Sequence, residues 1–490
     1  MDCRATRFGI AISLMLALAS LSTAQDWPQW RGPNREARAT GFKVPATWPK
    51  ELTKKWQVSV GDGVATPSLV GNKLYVFTRQ DDKEILRCLD ASTGSEIWQK
   101  SYEAKGADGP ARGFAGPRSS PTVADGKVVT FGARGMLCCF DATSGNELWK
   151  KDNFPDSFPM FFTSSSPLVV DGICITQEGG SRDGGIIAYD LTTGEEKWKW
   201  MESGPCYGSP VSMEVDGLKV VVAPTDDKLV ALGVADGKVL WEIPYKQGRY
   251  NSVTPMVEGT TLIIAGPGTG LTAFKMKKDG DKLVEEKVWN NAENSLGFNT
   301  PVIKNGLMFG LTGASQLFCI DTQSSKTAWS VPFSKAVAPA ADPAKAGTSQ
   351  SENNRLRATF VQFVQQGEKS PPEERSRANS DRGPRRGDRD RGRGPGPGGP
   401  GRFGPGGFGG RGGRGGGDRG YGSIVDVGSA LIALTPGGEL VAYKPTSESF
   451  TELARYKVAS EGTYAYPIPT ANGIYVKDKD AVALWTAEKE

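Results

Sequence analysis

From Arg87 to Trp98 the chain reads RCLDASTGSEIW, and close copies return along its length. Leu137–Trp149 is LCCFDATSGNELW, Ile187–Trp198 is IAYDLTTGEEKW, Val230–Trp241 is VALGVADGKVLW, and Gln316–Trp329 is QLFCIDTQSSKTAW. A weaker copy ends at Trp289. A unit of this size cannot bury its own apolar face, so its copies must stack or close into a ring.

Upstream of each copy lies a second recurring piece, a proline followed by a short apolar run. It starts at Pro67, Pro121, Pro167, Pro210, Pro255 and Pro301. The runs alternate or are β-branched, and Gly, Asn or Asp turns separate them, which is the pattern of strands and hairpins. Each unit reads as four antiparallel strands, A to D, with the tryptophan on D. The turn after strand C is DxxTG, where Asp accepts backbone N–H bonds and Gly takes positive φ.

Six units are clear. A seventh, from Ser423, carries Tyr456 where tryptophan is expected, and an eighth, from Tyr466, stops before its strand D. At the other end, LTKKWQVSV around Trp56 is a strand D with no strands before it. The fragments complement each other, so the N-terminal strand should complete the last blade and remove the open sheet edge. The expected fold is all-β, an eight-bladed β-propeller of four-stranded antiparallel blades, closed by the N-terminal strand.

The residue two before the Asp column of strand C is Cys88, Cys139, Ala188, Ala231, Ala273, Cys319, Ala442 and Ala483 across the eight units. Only Ala or Cys occurs. These cysteines are therefore expected to be small core residues and not a redox or metal site.

The chain contains no histidine. That excludes a Ser–His–Asp triad, a Cys–His dyad, histidine metal ligands and CxxCH haem attachment. Residues 1–24 read as a secretory signal: Arg4 and Arg7, an apolar run from Phe8, and small residues at Ser22 and Ala24. The expectation is an exported, periplasmic or envelope-associated monomer, with no transmembrane segment after signal cleavage and no lipid-anchor cysteine. Residues 25–50 read as an N-terminal arm, and 51–330 as the closing strand and blades one to six. From 331 to 421 the repeat pattern stops. Rich in Gly, Arg and Pro, this insert cannot bury a core and reads as disordered. Residues 331–420 carry 17 basic and 9 acidic side chains, about +8 against +4 for the whole chain, so the basicity belongs to the insert. Its interleaved acids, and the export signal, argue against specific nucleic-acid binding. Blades seven and eight occupy 422–490.

The repeated LDAxTGxxxW unit resembles the PQQ-like repeat of the quinoprotein alcohol dehydrogenase-like propellers. DWPQWRGPNRE at Asp26–Glu36 and GPRSSPTVADG at Gly116–Gly126 are similar to pieces of the exported BamB-like group within them. The resemblance implies the propeller fold and leaves two functions open. One is a non-catalytic scaffold or protein-binding module for envelope or outer-membrane proteins, with no cofactor, no catalytic residues and no metal. The alternative is a PQQ-dependent dehydrogenase that oxidises alcohols or sugars, with PQQ and Ca²⁺. Dehydrogenases of this kind place a vicinal Cys–Cys ring beside the cofactor. Cys138–Cys139, the adjacent pair here, lies inside a strand where successive side chains point to opposite faces, so core packing is expected.

The A–B and C–D turns occupy one rim, which leaves the B–C turns and D–A loops on the other. The second rim is less regular and is the expected binding face. It gathers Arg118, Phe162, Tyr207, Tyr250, Asn251, Phe298, Asn299 and Tyr464 just before strands A, and its B–C turns add Arg79, Asp81, Arg134, Glu178, Asp183, Asp226 and Asp227. An aromatic funnel with a few charges suits a planar ligand or a peptide. In the dehydrogenase reading, Arg118, Asn251, Asn299 and Glu178 would serve the cofactor and its Ca²⁺.

Overall fold

The computed structural model describes residues 26–247, 250–266, 270–333 and 421–488. The signal segment 1–24 and nearly all of the 331–421 insert lie outside the described residues.

Among those residues the strands form eight four-stranded antiparallel sheets. Seven are built from four consecutive strands. Blade one, for example, runs through Ser68–Val70, Lys73–Gln80, Lys83–Asp90 and Glu96–Glu103. The eighth takes Ile468–Thr470, Gly473–Lys477 and Ala481–Thr486 from the C-terminal end and Thr53–Ser59 from the N-terminal end, paired from Thr53 opposite Thr486 to Ser59 opposite Ala481. The ring therefore closes as the fragments required.

Burial explains the residue choice. Strands B and C are covered on both faces by the neighbouring blades and are buried almost throughout, as in Ile173–Glu178 and Leu137–Asp141. Strands D are outermost, and their burial alternates.

The recurring stretch that opens the sequence is the joint between blades. Its tryptophan stands opposite the small residue of strand C: Trp98 opposite Cys88, Trp149 opposite Cys139, Trp198 opposite Ala188 and Trp329 opposite Cys319. The indole then reaches the following blade. Its N–H donates to the carbonyl of Leu191 from Trp149 (3.0 Å), of Val234 from Trp198 (2.8 Å), of Thr446 from Trp329 (2.8 Å) and of Ala91 from Trp56 (3.2 Å). The glycine of the receiving turn lies under the ring. Gly94, Gly145, Gly194 and Gly237 have φ of 76°, 71°, 72° and 67°, and a Cβ on any of them would fall 2.8, 2.7, 2.7 or 2.6 Å from the tryptophan of the preceding blade. Glycine is thus required twice over, by backbone conformation and by the stacked indole. The turn aspartate completes the motif: Asp90 Oδ1 accepts the N–H groups of Ser92 (3.0 Å) and Thr93 (2.9 Å), and hydrogen bonds from their turns hold Asp90, Asp141, Asp190 and Asp321 below the usual carboxylate range.

Blade seven departs from the expected register. The residue opposite Ala442 is Ala454, while Tyr456 pairs two positions away with Leu440. The next blade explains why. Blade eight is completed by a strand from the other end of the chain, so it has no C–D turn for an indole to dock on. Tyr456 instead donates its hydroxyl to the Pro49 carbonyl at 2.7 Å.

A second joint lies near the axis. The Ser or Thr before each strand-A proline accepts the N–H of its counterpart one blade back: Tyr466 to Thr66, Thr66 to Ser120, Ser120 to Ser166, Ser166 to Ser209, Ser209 to Thr254, and Thr254 to Thr300, at 2.9–3.3 Å. Proline follows because the next N–H is not needed on this innermost strand.

Among the described residues six cysteines are free and buried. Cys138 and Cys139 sit in different core clusters, as side chains on opposite faces of one strand must. Burial pushes Cys88 up to about 11 and Cys139, Cys206 and Cys319 up to about 12, with Cys138 and Cys174 also raised. Unfolded thiols ionise near 8.5. Above that pH the unfolded chain binds fewer protons than the folded one, so stability falls. Lys477, fully buried and pulled down to about 8 by desolvation, works the other way: between 8 and its unfolded value the unfolded chain binds the extra proton and stability rises. Six thiols outweigh the lowered cations, chiefly Lys477 and Arg35. The urea midpoint should therefore fall steadily from pH 8.5 to 11, and a C88A/C139A/C319A variant should show a shallower slope with near wild-type stability at pH 7.

Candidate binding site at one mouth of the propeller

Strands A line an axial channel whose two mouths differ. The N-terminal arm enters from the A–B side. Trp27 exchanges backbone hydrogen bonds with Leu69 in blade one, Pro28 O accepts Val123 N in blade two, and Ala37 and Ala39 pair with Asp426 in blade seven. Between these anchors the arm turns inward through residues of positive φ, including Arg31 (63°) and Arg35 (59°).

Both arginines are buried, 2% and 6% exposed, with no carboxylate in ion-pair contact among the described residues. Backbone carbonyls take their place. Arg31 donates to Arg35 O (2.9 Å), Thr300 O (2.6 Å) and Pro301 O (2.7 Å), and to the Tyr466 hydroxyl (2.8 Å). Arg35 donates to Gln29 Oε1 (2.9 Å), Pro210 O (2.6 Å), Ser166 O (3.3 Å) and Pro167 O. Burial pulls Arg35 down to about 9, which leaves it charged at neutral pH. The arm so touches blades one, two, three, four, six, seven and eight. A cleft of about 550 Å³ remains between the arm and strands A of blades three to six.

The opposite mouth, formed by the D–A loops, carries an aromatic collar in two arcs. Phe114, Tyr464, Tyr421 and Phe298 follow one another with ring centroids 4.9, 4.7 and 4.3 Å apart. Phe161, Tyr207 and Tyr250 form the second arc, at 6.1, 5.1 and 5.8 Å. Met160 and Phe298 are 60% and 47% exposed. Arg118 lies in electrostatic range of a tyrosine of each arc. It is rooted in the loop before blade two, yet its charge is felt by Tyr207, before blade four, and by Tyr421, before blade seven. The Asp62 carboxylate also lies in electrostatic range of it, without an ion-pair contact. Burial lowers its pKa. Its Nη2 donates to Ala111 O (3.2 Å) and Phe114 O (2.7 Å), and its Nη1 is buried with no partner.

Of the residues expected here from the sequence, Arg118, Tyr207, Tyr250, Phe298 and Tyr464 thus share the mouth. The others are engaged elsewhere. Glu178 is buried, its carboxylate accepting from Thr176 (2.7 Å), Tyr189 (2.8 Å) and Asn153 (3.0 Å), and desolvation raises its pKa. Asn251 accepts Gln247 N and donates to Thr225 O, Asp226 O and Tyr245 O. Asn299 joins Gly422 O to Leu311 N. Phe162 stacks beneath the surface on Phe158 at 4.8 Å. Arg79, Arg134 and Asp183 tie B–C turns to neighbouring groups through Asp82, Asp108 and Ser157. Glu178, Asn251 and Asn299 are thus each hydrogen-bonded to neighbouring protein groups, and Cys138 and Cys139 are packed in the core. The sequence reading missed Phe114, Phe161 and Tyr421, although the signal existed: each lies within a few residues of a D–A loop's end, as the named aromatics do.

The sequence model of the family described as outer membrane protein assembly factor BamB matches residues 48–182 and 81–331. The outer membrane protein assembly factor BamB of Shewanella oneidensis is 22% identical over 347 residues, covering 66% of this chain and 79% of that protein. The quinohemoprotein alcohol dehydrogenase of Comamonas testosteroni is 29% identical over 196 residues, 37% of this chain but only 26% of that protein. Among solved structures, BamB from Moraxella catarrhalis superimposes with a TM-score of 0.54 at 12% identity, over 89% of this chain and 97% of that one. The Comamonas dehydrogenase superimposes with 0.56 at 15% identity, over 95% and 81%. At these identities the superpositions establish the fold and leave activity open.

Proposed function

We propose, from the premise that this chain belongs to the family of PQQ-like propellers described as outer membrane protein assembly factor BamB, that it is a non-catalytic docking module for envelope proteins. The carrying observation is the aromatic collar of the D–A mouth. Exposed Met160 and Phe298 among half-buried rings make an apolar patch of the kind that marks a protein-binding surface. The arm occupies the other mouth, so a partner would engage from the collar side. The export signal read in residues 1–24 and the relatives' role in outer-membrane protein assembly support an envelope location. Among the described residues, no helix is long and apolar enough to cross a membrane.

The test is site-specific photo-crosslinking in envelope extracts. A crosslinker at Phe298 should capture defined envelope proteins, whereas one at Ile97, exposed on the outer edge of blade one, should not. In parallel, purified protein is mixed with PQQ and Ca²⁺ and assayed for dye-linked oxidation of alcohols and sugars. Saturable cofactor binding with turnover, or crosslinks confined to Ile97, would overturn the proposal.

A further inference from the structure

We propose that the protein self-associates through blade five, in place of the monomer expected from sequence. The outer edge of that blade's C–D hairpin pairs antiparallel with the same edge of a second copy. The proposal is independent of the docking reading, because this hairpin's turn lies on the rim opposite the collar.

The hairpin is the weaker copy of the repeat that ends at Trp289. In blades one to four the tryptophan comes four residues after the turn glycine, as with Gly94 and Trp98; here it comes nine after, at Gly280 and Trp289. The added residues lengthen both strands, to Gly270–Asp279 and Lys282–Asn291, ten residues each. One face of the hairpin lies on blade four. Met276 and Leu283 are buried in a cluster with Trp241 and Tyr245. The Trp241 indole donates to Glu285 Oε2 at 2.7 Å, where the indoles of blades two, three and six find a carbonyl.

The strand's outer edge is bare. Lys282–Asn291 is the last strand of its sheet, and Val284 through Val288 are all exposed. Its bulge falls between Lys287 and Trp289, so the edge from Lys282 to Lys287 is regular. Met276 stands opposite Glu285, but the Met276 N–H is spent on Thr260 O at 2.8 Å, so this pair exchanges no hydrogen bonds. The backbone N–H and C=O of Glu285, and of Leu283 two residues earlier, therefore point outward along the free edge.

Charges on an edge strand normally deter pairing. Here they fit a twofold. With the pairing centred on Val284, that residue faces its own copy, Lys282 faces Glu286, Leu283 faces Glu285, and Asp281 of the turn faces Lys287. Leu283 and Glu285, whose backbone groups point outward, then exchange hydrogen bonds across the seam in both directions. Within one copy Lys275 stands opposite Glu286, and Asp279 opposite Lys282. Across the seam these join into one row of alternating sign: Lys275, Glu286, then Lys282 and Asp279 of the copy. Glu286 already pairs with Lys277, and a carboxylate accepts from two ammonium groups at once. Lys282 Nζ gives one bond, to Val239 O, and keeps two donors. Centring the pairing on Glu285 or Glu286 instead would set like charges against each other at the twofold. The charges that deter other strands thus select a second copy in one register.

The test is sedimentation of the full mature chain over a wide concentration range. Wild type should pass reversibly from monomer to dimer and no further. Lys282→Glu should weaken dimerisation at least about tenfold, and Lys282→Glu combined with Glu286→Lys should recover most of it, because the charge pair is reversed and not removed. Cysteine placement reads the register directly. Val284→Cys should give a disulfide-linked dimer under mild oxidation, since the twofold sets the two thiols side by side. Val288→Cys should not, although Val288 is the more exposed at 56% against 41%, because it would face the turn glycine of the copy. Both cysteines replace exposed residues, so melting temperatures should stay near wild type. A chain that stays monomeric at every concentration, a charge swap no better than the single reversal, or linkage of Val288→Cys as readily as Val284→Cys would each overturn the proposal. Crosslinking from Phe298 should persist in Lys282→Glu, so failure of the dimer and failure of docking at the collar are told apart.

Discussion

Replacing Arg35 with alanine should lower the stability of the propeller by about 3 kcal/mol, although the residue belongs to no blade. Two effects oppose each other. The guanidinium is buried without a counter-ion, so removing it relieves a desolvation cost. Against this, Gln29 Oε1 and the carbonyls of Ser166, Pro167 and Pro210 lose their donor at once, each at about 1–3 kcal/mol when left dry. The carbonyl term wins because those groups are fixed by the sheet and cannot turn to one another. It does not reach its upper limit, because Arg35 borders the 550 Å³ cleft through which water can enter. Lysine should recover little, since one ammonium cannot span carbonyls of blades three and four. Urea unfolding checks this directly. A midpoint shift equivalent to less than 1 kcal/mol for Arg35→Ala would show that the arm is a passenger in the channel. Hydrogen exchange should also reach the Trp27 and Ala39 amides faster in the variant, because the arm's middle would no longer be tied down.

The arm was the least legible part of the fold. Its sequence, DWPQWRGPNRE, has neither the alternation of a strand nor the period of a helix. Its contacts run from side chains to backbone carbonyls 131 to 270 residues away, and a carbonyl carries no residue identity for a sequence to reveal. The blades were legible for the opposite reason. Their joints rest on identities: Trp149 needs small Cys139 opposite it and Gly194 beneath it, so the same letters recur wherever the geometry recurs. Where the geometry fails to recur, the letters change. Ala454 stands at the tryptophan position of blade seven because blade eight has no C–D turn. The collar mouth was legible in part. Arg118 and the tyrosines stood out as charge and aromaticity before strands A, but sequence alone could not separate Arg118, with its idle Nη1, from Asn251 and Asn299, whose amides are spent on loop carbonyls. That distinction exists only in three dimensions.

Deleting the chain through Val60 should do more than the loss of Arg35: it should abolish cooperative unfolding. The Thr53–Ser59 strand covers the outer edge of Ala481–Thr486 along its whole length, so its removal bares a row of unpaired backbone groups on a flat, apolar strand. Such an edge recruits other chains. The truncation also takes Trp56, whose indole stacks on Gly94 and bonds Ala91 O, and so cuts the joint between blades eight and one. A propeller is a closed version of a repeat array, in which each unit is held by its two neighbours. Opening one joint leaves two terminal blades each missing a partner. The expected results are a broadened thermal transition and aggregation visible by light scattering. Because the arm is lost too, a second protein lacking only residues 26–39 separates the effects. It should still melt cooperatively, at a reduced temperature, with its ring closed by strand pairing. A synthetic peptide of residues 51–62 added to the longer truncation should restore a single sharp transition, since it supplies the missing strand and Trp56 together. A truncated protein that melts like the intact chain without the peptide would mean that the seam between blades eight and one is held by the inner strands alone, and that the Thr53–Ser59 pairing contributes little to closure.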